Sequence, residues 1–338
     1  MALPNVSLVV PCYNEEAFIE QILFDIQKQD FPMENIELFI VDGRSTDQTR
    51  AIFDRTVNKL SYKALLLDNE KRIAPIAMNI GIQAAAGDYI FIWGAHASYP
   101  PNFISNMIAL AEESSADCVG AVCETIPRGS GLKAEAIAEV LQHKAGVGNS
   151  SFRTGVQEVT EVDTVAFGCY RKDSFEKFGL FDPRLVRNQD IELNKRIVNQ
   201  GGKILLDPKT SCSYFARSTF SGLWKNNFGN GKWVVLTAKY TGQFQALSIR
   251  HFIPLIFVLG FMLCSLFALN NHLLELLPAI FTYLSLVPVG LYLLIISIAS
   301  LQISWQKNNL KLLPFSFLSF LCLHFSYGLG SLKGLHHK

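Results

Sequence analysis

The sequence has no CxxC pair among its seven cysteines, so it offers neither a zinc-knuckle spacing nor a thioredoxin-like redox motif. The cysteines are odd in number and scattered, which suits free thiols in a reducing cytosol better than a disulfide scaffold. An excess of charge of one sign is also missing. Lys and Arg number 30 against 29 Asp and Glu, and the net charge of +1 excludes a strongly basic nucleic-acid binder, so no nucleic-acid partner is expected. The N-terminus lacks a basic stretch, and Pro11 interrupts its only apolar run; no signal peptide is expected there. No internal repeat and no low-complexity block is present. The last quarter is nearly without charge: beyond Arg250 only Glu275, Lys307, Lys311, Lys333 and Lys338 carry any.

What is present is an alternation. "VSLVV" before Pro11, "IELFIVDG", "YKALLLD" and "DYIFIW" read as buried strands. Between them "NEEAFIEQILFDIQKQ", "STDQTRAIFDRTV" and "PIAMNIGIQAAAG" read as helices, with Asn14 and Ser45 or Thr46 as expected N-caps. Strand–helix alternation of this length implies a largely parallel sheet with helices on both faces. Ligands bind such sheets beyond the carboxyl ends of the strands, and the chemistry-bearing residues follow strands: 13–15, 42–47, 68–72 and 94–96. Residues 112–165 are less regular, and the Gly/Ser-rich part around 146–151 suggests a loop or lid. "VDTVAFGCYRKDSFEKFG" reads as strand, turn and helix, and "NQDIELNKRIVNQGG" as a helix opened by Gln189 and Asp190.

Three apolar segments follow, at about 251–269, 276–299 and 312–332, each long enough for the ~20 residues that a bilayer crossing takes. None shows the polar face of a soluble helix. Pro254, Pro278, Pro288 and Pro314 are expected mostly near helix ends. Before the segments, "FSGLWKNNFGNGKWVVLTAKY" interleaves Lys225, Lys232 and Lys239 with Trp224, Phe228, Trp233 and Tyr240, a pattern suited to lipid headgroups. Gly229 and Gly231 are expected to break any single rigid helix there. The expected division is a catalytic domain at 1–220, an amphipathic connector at 221–250 and two to three transmembrane helices at 251–332. With the globular domain cytosolic, Lys307 and Lys311 also lie inside, whereas three full crossings put the tail outside.

Asp42 ends an apolar strand, where a carboxylate can accept from a nucleobase ring N–H or a ribose hydroxyl. Ser45, Thr46 and Asp47 have a bland reading as caps and dipole partners. "VSLVVPCYNEEAFI", "IVDGRSTDQT", "KRIAPIAMNIGIQAAAGDYIFIWGAHASYPPNF" and "NQDIELNKRI", in that order, resemble the family 2 glycosyltransferases with a GT-A domain. The likeness is greatest to the succinoglycan-type exopolysaccharide enzymes with C-terminal membrane segments, and it covers roughly residues 4–235.

The resemblance implies an α/β GT-A fold, Rossmann-like, followed by a helical transmembrane region. It implies an inverting transfer from a nucleotide-diphosphate sugar, UDP favoured, to a lipid-linked or polysaccharide acceptor on the cytosolic face of the plasma membrane, usually with a divalent metal (Mn or Mg). By position, Pro11, Tyr13, Glu15 and Asp42 would line the nucleotide site, with Lys71 and Arg72 near the donor or simply a solvated basic pair. Asp190 falls on the catalytic base, which takes the acceptor proton; its bland reading is a helix N-terminal acid. Gln189 stands where the family usually has Glu, and loss of that negative neighbour favours ionisation of Asp190. Gln189, Lys232 and Trp233 would lie on the acceptor side. Gly94 replaces the usual metal-binding acid, which leaves His96 alone of that set. His96 then binds metal beside the donor phosphates, or hydrogen-bonds the diphosphate without metal, or marks a site that has lost its chemistry. A nucleotide-sugar-binding subunit without transfer is the alternative function.

Overall fold

A computed structural model describes residues 3–242, 249–275 and 277–337 of the chain. Part of the expected connector, residues 243–248, lies outside the described residues. The chain divides into two compact units, one formed by Met1–Glu124 with Ser151–Phe215 and the other by Thr125–Ser150 with Ala216–Lys338.

In the first unit the order is β1 (Val6–Cys12), α1 (Ile19–Gln27), β2 (Ile36–Asp42), α2 (Thr49–Val57), β3 (Lys63–Asp68), α3 (Ala74–Ala84), β4 (Tyr89–Ile92), β5 (Ala97–Ser98), α4 (Phe103–Ser114) and β6 (Cys118–Pro127). The helices α5 (Leu132–Val140) and α6 (Lys144–Val147) belong to the second unit. The first unit resumes with α7 (Ser151–Thr154), β7 (Thr160–Glu161), β8 (Cys169–Arg171), α8 (Lys172–Phe178), α9 (Gln189–Asn199) and β9 (Ile204–Ala216). One mixed sheet runs β3-β2-β1-β4-β8-β6-β9-β5, with β7 on β9. The first four strands are parallel; β4–β8, β6–β8, β5–β9 and β7–β9 are antiparallel.

Alternation along the strands builds two cores. Val6, Leu8 and Val10 of β1 with Ile36, Leu38 and Ile40 of β2 face α1 and α4, whose Ile22, Ile26, Phe103 and Met107 are buried there. Val9, Phe39 and Val41 face the opposite layer, with Ala77 and Ile82 of α3 and Leu193 and Ile197 of α9. Both faces are thus covered, as a parallel sheet requires.

Two expected caps act otherwise. Helix α1 starts only at Ile19, and Asn14, at φ 55°, joins two rim loops instead: its N–H donates to Ser45 Oγ (2.8 Å) and its Oδ1 accepts the Thr46 N–H (2.9 Å). Helix α2 starts at Thr49, whose N–H and hydroxyl both donate to Asp47 Oδ1 (3.0 and 2.6 Å), so Asp47 takes the role expected of Ser45 or Thr46. A short polar side chain satisfies the backbone of a neighbouring loop as readily as that of its own helix.

The second unit holds α10 (Phe220–Thr241), α11 (Ile253–Leu274), α12 (Ala279–Gln306) and α13 (Leu313–Leu335) with α5 and α6. Three of its helices, α11, α12 and the stretch Leu310–Leu335, are long and apolar enough to cross a membrane. Pro254 and Pro314 stand in first turns and Pro278 is an N-cap, whereas Pro288 lies inside α12. Within the less regular stretch 112–165, residues 132–147 carry α5 and α6, and the Gly/Ser-rich part leaves a short non-helical link at 148–150 before α7. Ile137 and Val140 pack with Leu223, Ile296, Phe320 and Leu323, and Glu139 pairs with Lys307 at 2.7 Å.

Residues 220–241 form one unbroken helix, against the expectation from Gly229 and Gly231. Contact explains it: a Cβ at Gly231 would lie 1.9 Å from the Tyr327 carbonyl oxygen, and one at Gly330 would lie 2.1 Å from that of Phe228. The glycines let two backbones touch, and that packing outweighs a helix-propensity deficit of about 1 kcal/mol per glycine. Gly231→Ala is therefore expected to lower stability by about 1–3 kcal/mol through overpacking, read as a lower melting temperature in detergent. Gly260→Ala, where no atom lies within 4 Å of the new Cβ, should leave it unchanged or higher.

Candidate active site

The rim is set by register. Cys12, Asp42 and Asp68 end β1, β2 and β3 side by side, and Trp93 follows β4 with its N–H on Val9 oxygen (3.0 Å). Residues that follow these strands therefore emerge along one edge. Gly43 donates to Cys12 oxygen (2.8 Å) and Asn69 to Asp42 oxygen (2.8 Å), which continues the ladder one residue past the strands.

Asp42 is fully buried and fully engaged. Its Oδ2 accepts from Arg50 Nε (2.5 Å) and the Ser45 N–H (3.0 Å), and its Oδ1 from the Ser45 hydroxyl (2.5 Å). The same Arg50 reaches Asp68 at the end of β3. The structural role that the sequence did not reveal for Asp42 is thus to anchor the β2 turn and, through Arg50, its neighbour strand. Tyr13 is 46% exposed, with the Arg72 guanidinium 5.7 Å from its ring centre. Arg72 stands at φ 56° in the turn that leads into α3, and Lys71 beside it is exposed. Pro11 is half-buried near the end of β1.

Glu15 is turned inward. Its N–H donates to Thr49 Oγ1 (2.7 Å), and its Oε1 lies 3.0 Å from His96 Nε2. The Phe18 ring stands edge-on to the imidazole at 4.8 Å. The nucleotide-side and metal-side expectations therefore meet in one pair. The other ring nitrogen, Nδ1 of His96, is buried without a hydrogen-bond partner.

Gly94 is not an empty place. A Cβ there would sit 2.6 Å from Phe167 Cε1. The Phe167 backbone is left-handed, φ 53°, and its ring meets Tyr99 edge-on at 5.8 Å. Tyr99 in turn stacks on Trp93 at 3.7 Å, and its hydroxyl oxygen accepts the Gly94 N–H (2.9 Å). Aromatic rings thus close the position where an acid would stand. Glu15 and His96 offer one carboxylate and one imidazole, and among the described residues no three His, Cys, Asp or Glu side chains gather to hold a metal. The side chains do not by themselves make a metal cage.

Asp190 opens α9, with Oδ1 accepting the Ile191 N–H (2.9 Å). Burial raises its pKa, while the backbone N–H groups of Ile191 and Asp190 and the charge of Arg153 act to lower it. The expected ease of ionisation from the Gln189 neighbour is outweighed by lost solvation. Gln189 Oε1 is buried with no partner. Arg153 carries no signal in the sequence, yet its charge acts on Asp190. Its guanidinium lies 5.3 Å from the Phe152 ring and 5.5 Å from that of Tyr214. Tyr214 pairs with Ala97, the residue after His96. Lys232 and Trp233 lie in the second unit on α10, Trp233 with its ring 6.1 Å from Tyr240.

The sequence profile of glycosyl transferase family 2 matches residues 7–179. The dolichyl N-acetyl-alpha-D-glucosaminyl phosphate 3-beta-D-2,3-diacetamido-2,3-dideoxy-beta-D-glucuronosyltransferase of Methanococcus voltae is 33% identical over 233 residues, 67% of this chain and 71% of that protein. The succinoglycan biosynthesis protein ExoA of Rhizobium meliloti is 32% identical over 228 residues, 67% of each. The mannosyltransferase PcManGT of Pyrobaculum calidifontis, solved with GDP-Man and Mn2+, shares the fold at a TM-score of 0.61 and 17% identity, over 99% of this chain and 88% of its own. The chain belongs to glycosyl transferase family 2.

Restoring the acid at position 94 is expected to fail structurally. Gly94→Asp should cost about 1–3 kcal/mol by overpacking against Phe167. Added to Phe167→Gly, which removes the ring and suits the left-handed backbone, it should cost measurably less. A double-mutant cycle by thermal melting checks this, with a favourable coupling above about 0.5 kcal/mol expected.

Proposed function

We propose that this chain is a membrane-bound inverting glycosyltransferase. It moves a sugar from a nucleoside diphosphate, UDP favoured, to a lipid-linked or growing polysaccharide acceptor at the cytosolic face of the plasma membrane. The observation that carries the reading is Asp190, a partly desolvated carboxylate at the start of α9 under the influence of Arg153, in a chain of this family. The names of the relatives, one acting on a dolichyl-linked sugar phosphate and one in succinoglycan synthesis, support the acceptor class. The apolar helices support membrane attachment.

In this reading the acceptor hydroxyl oxygen bonds to the anomeric carbon as the carbon–oxygen bond to the diphosphate breaks. The electron pair leaves on the diphosphate and the proton passes to Asp190. One such displacement inverts the anomeric centre. Raised basicity suits Asp190 to this task, since a general base is most effective with a pKa near the working pH. Pro11, Tyr13 and Glu15 are assigned to the nucleotide, and Asp42 to its base once the Ser45 hydroxyl gives up its bond; Lys71, Arg72 and His96 are assigned to the diphosphate side, and Gln189, Lys232 and Trp233 to the acceptor. A divalent ion, Mn or Mg, would be held by His96 beside the donor phosphates and would offset the charge on the departing diphosphate.

The closed position at Gly94 favours a second reading, a nucleotide-sugar-binding subunit that transfers nothing. A screen of nucleotide sugars, followed by release of nucleoside diphosphate in the presence of membrane lipid acceptors, separates the two. Transfer is expected, and Asp190→Asn should reduce it by about 10²–10⁴-fold with donor binding retained. Donor binding without transfer by the unsubstituted protein would support the second reading. Activity should fall as pH drops through the raised pKa of Asp190, above the ordinary carboxylate value of about 3.9. Arg153→Gln, which removes a charge that lowers that pKa, should move the acid limb further up. EDTA and His96→Ala together test the metal: indifference to both removes it.

A further inference from the structure

The three apolar helices are alike in length and unlike in surroundings. Of the most apolar stretch of each, 11% is buried in α11, 17% in α12 and 39% in α13. The outer faces of α11 and α12 are bare leucine and isoleucine: Leu263, Leu266, Leu273 and Leu274 on one, Ile280, Leu284, Val287 and Leu291 on the other, each at least half exposed. The two pack on each other, Phe257 against Tyr292 at 4.4 Å near the base. At the tip, Asn271 is buried and closes the turn: its Nδ2 donates to Leu277 oxygen (3.2 Å) and Thr282 Oγ1 (2.8 Å), and its Oδ1 accepts the Leu277 N–H (2.8 Å). The 22 residues of α11 span about 33 Å, which matches the hydrocarbon core of a bilayer.

Among the described residues, the ring and glycine contacts of helix α13 with this hairpin lie toward its base. Phe325 touches Phe257, Phe261 and Tyr292, and Gly328 packs on Pro254 and Val258. As α13 advances from 325 to 328, its contacts on α11 move back from 261 to 254, away from the tip. Its first half packs instead with α5 and with the last third of α12, where Ile296, Ala299 and Ile303 are buried.

From Cys322 to Leu335 its other flank is covered by α10. Cys322 Sγ contacts Phe220 oxygen (3.4 Å), Gly330 abuts Phe228 oxygen, Gly334 abuts Lys232 oxygen, and Lys239 Nζ donates to Gly334 (3.1 Å) and Leu335 (2.7 Å) oxygens. Residues 322, 330 and 334 of α13 meet 220, 228 and 232 of α10 at one constant offset, so the two helices run parallel and side by side there. Where α13 goes, α10 goes with it. Yet α10 carries Lys225, Asn226, Asn227, Asn230 and Lys232, with Lys225 and Trp224 exposed. Lysine side chains at hydrocarbon depth are strongly disfavoured, whereas Trp, Tyr and Lys together suit the headgroup level.

We infer that the chain crosses the bilayer twice, by the α11–α12 hairpin. The α10–α13 pair lies against the headgroups of the leaflet from which that hairpin enters, so that both ends of α13 are on one side. Lys307, Lys311 and Lys333 then share that side, as the charge rule for short membrane-flanking segments favours.

Lys311 and Lys333 are exposed at the two ends of α13 and decide the matter. Lys225→Cys, Lys311→Cys and Lys333→Cys, made singly and compared with the unsubstituted protein for background, are treated with a membrane-impermeant maleimide in sealed vesicles of either orientation. All three are expected to label in one orientation and to lose labelling in the other. Labelling of positions 311 and 333 from opposite faces, or none at 333 from either, overturns the inference. The unsubstituted protein gives an independent reading: an impermeant amine reagent, mapped by mass spectrometry, should reach Lys311 and Lys333 from the same face.

Discussion

Parallel register among β1, β2 and β3 is the constraint from which the rest of the first unit follows. It places Cys12, Asp42 and Asp68 level with one another, and every loop after them begins at the same edge. Arg50 then joins Asp42 and Asp68 across two strand ends, and the Asn14–Ser45–Thr46 bonds tie the first loop to the second. The rim is therefore a fastened edge with its polar groups already paired.

The chemistry at the rim differs from what a strand-end acid would give. Phe167 takes the volume beside Gly94, and Tyr99 and Trp93 seal it. The polar side chain nearby stands two residues on, His96 in contact with Glu15. Asp190 loses solvation and gains the influence of Arg153, whose guanidinium lies over the rings of Phe152 on α7 and Tyr214 on β9. These two arrangements, an imidazole held by a carboxylate and a carboxylate tuned by a guanidinium, divide positive and negative chemistry between different elements of one unit.

The second unit follows different physics. Lipid exposure demands apolar surface and internally paired backbone, and the α11–α12 hairpin meets both through its leucines and the Asn271 turn. The α10–α13 seam relies on close backbone approach at glycine, so residues that read as helix breakers are the ones that make the helix pack. The irregular residues between β6 and α7 serve this unit as α5 and α6.

Much of this was legible in the order of residues. Apolar alternation and its punctuation announced the strands β1 to β4, the helices between them, the α9 start at Gln189 and three membrane-length helices, because hydrophobic periodicity is local. The motif residues that carry the family resemblance were legible for the same reason. Which side chain ends beside which was not. That Asp42 is held by Arg50, that Glu15 meets His96, that Phe167 fills the space at Gly94 and that Arg153 acts on Asp190 all depend on contacts between segments far apart in the chain. So does the glycine seam that keeps α10 whole. Spacing along a chain sets local conformation and the direction of burial; only folding decides which distant groups share a volume, and with it the charge and the room that each is given.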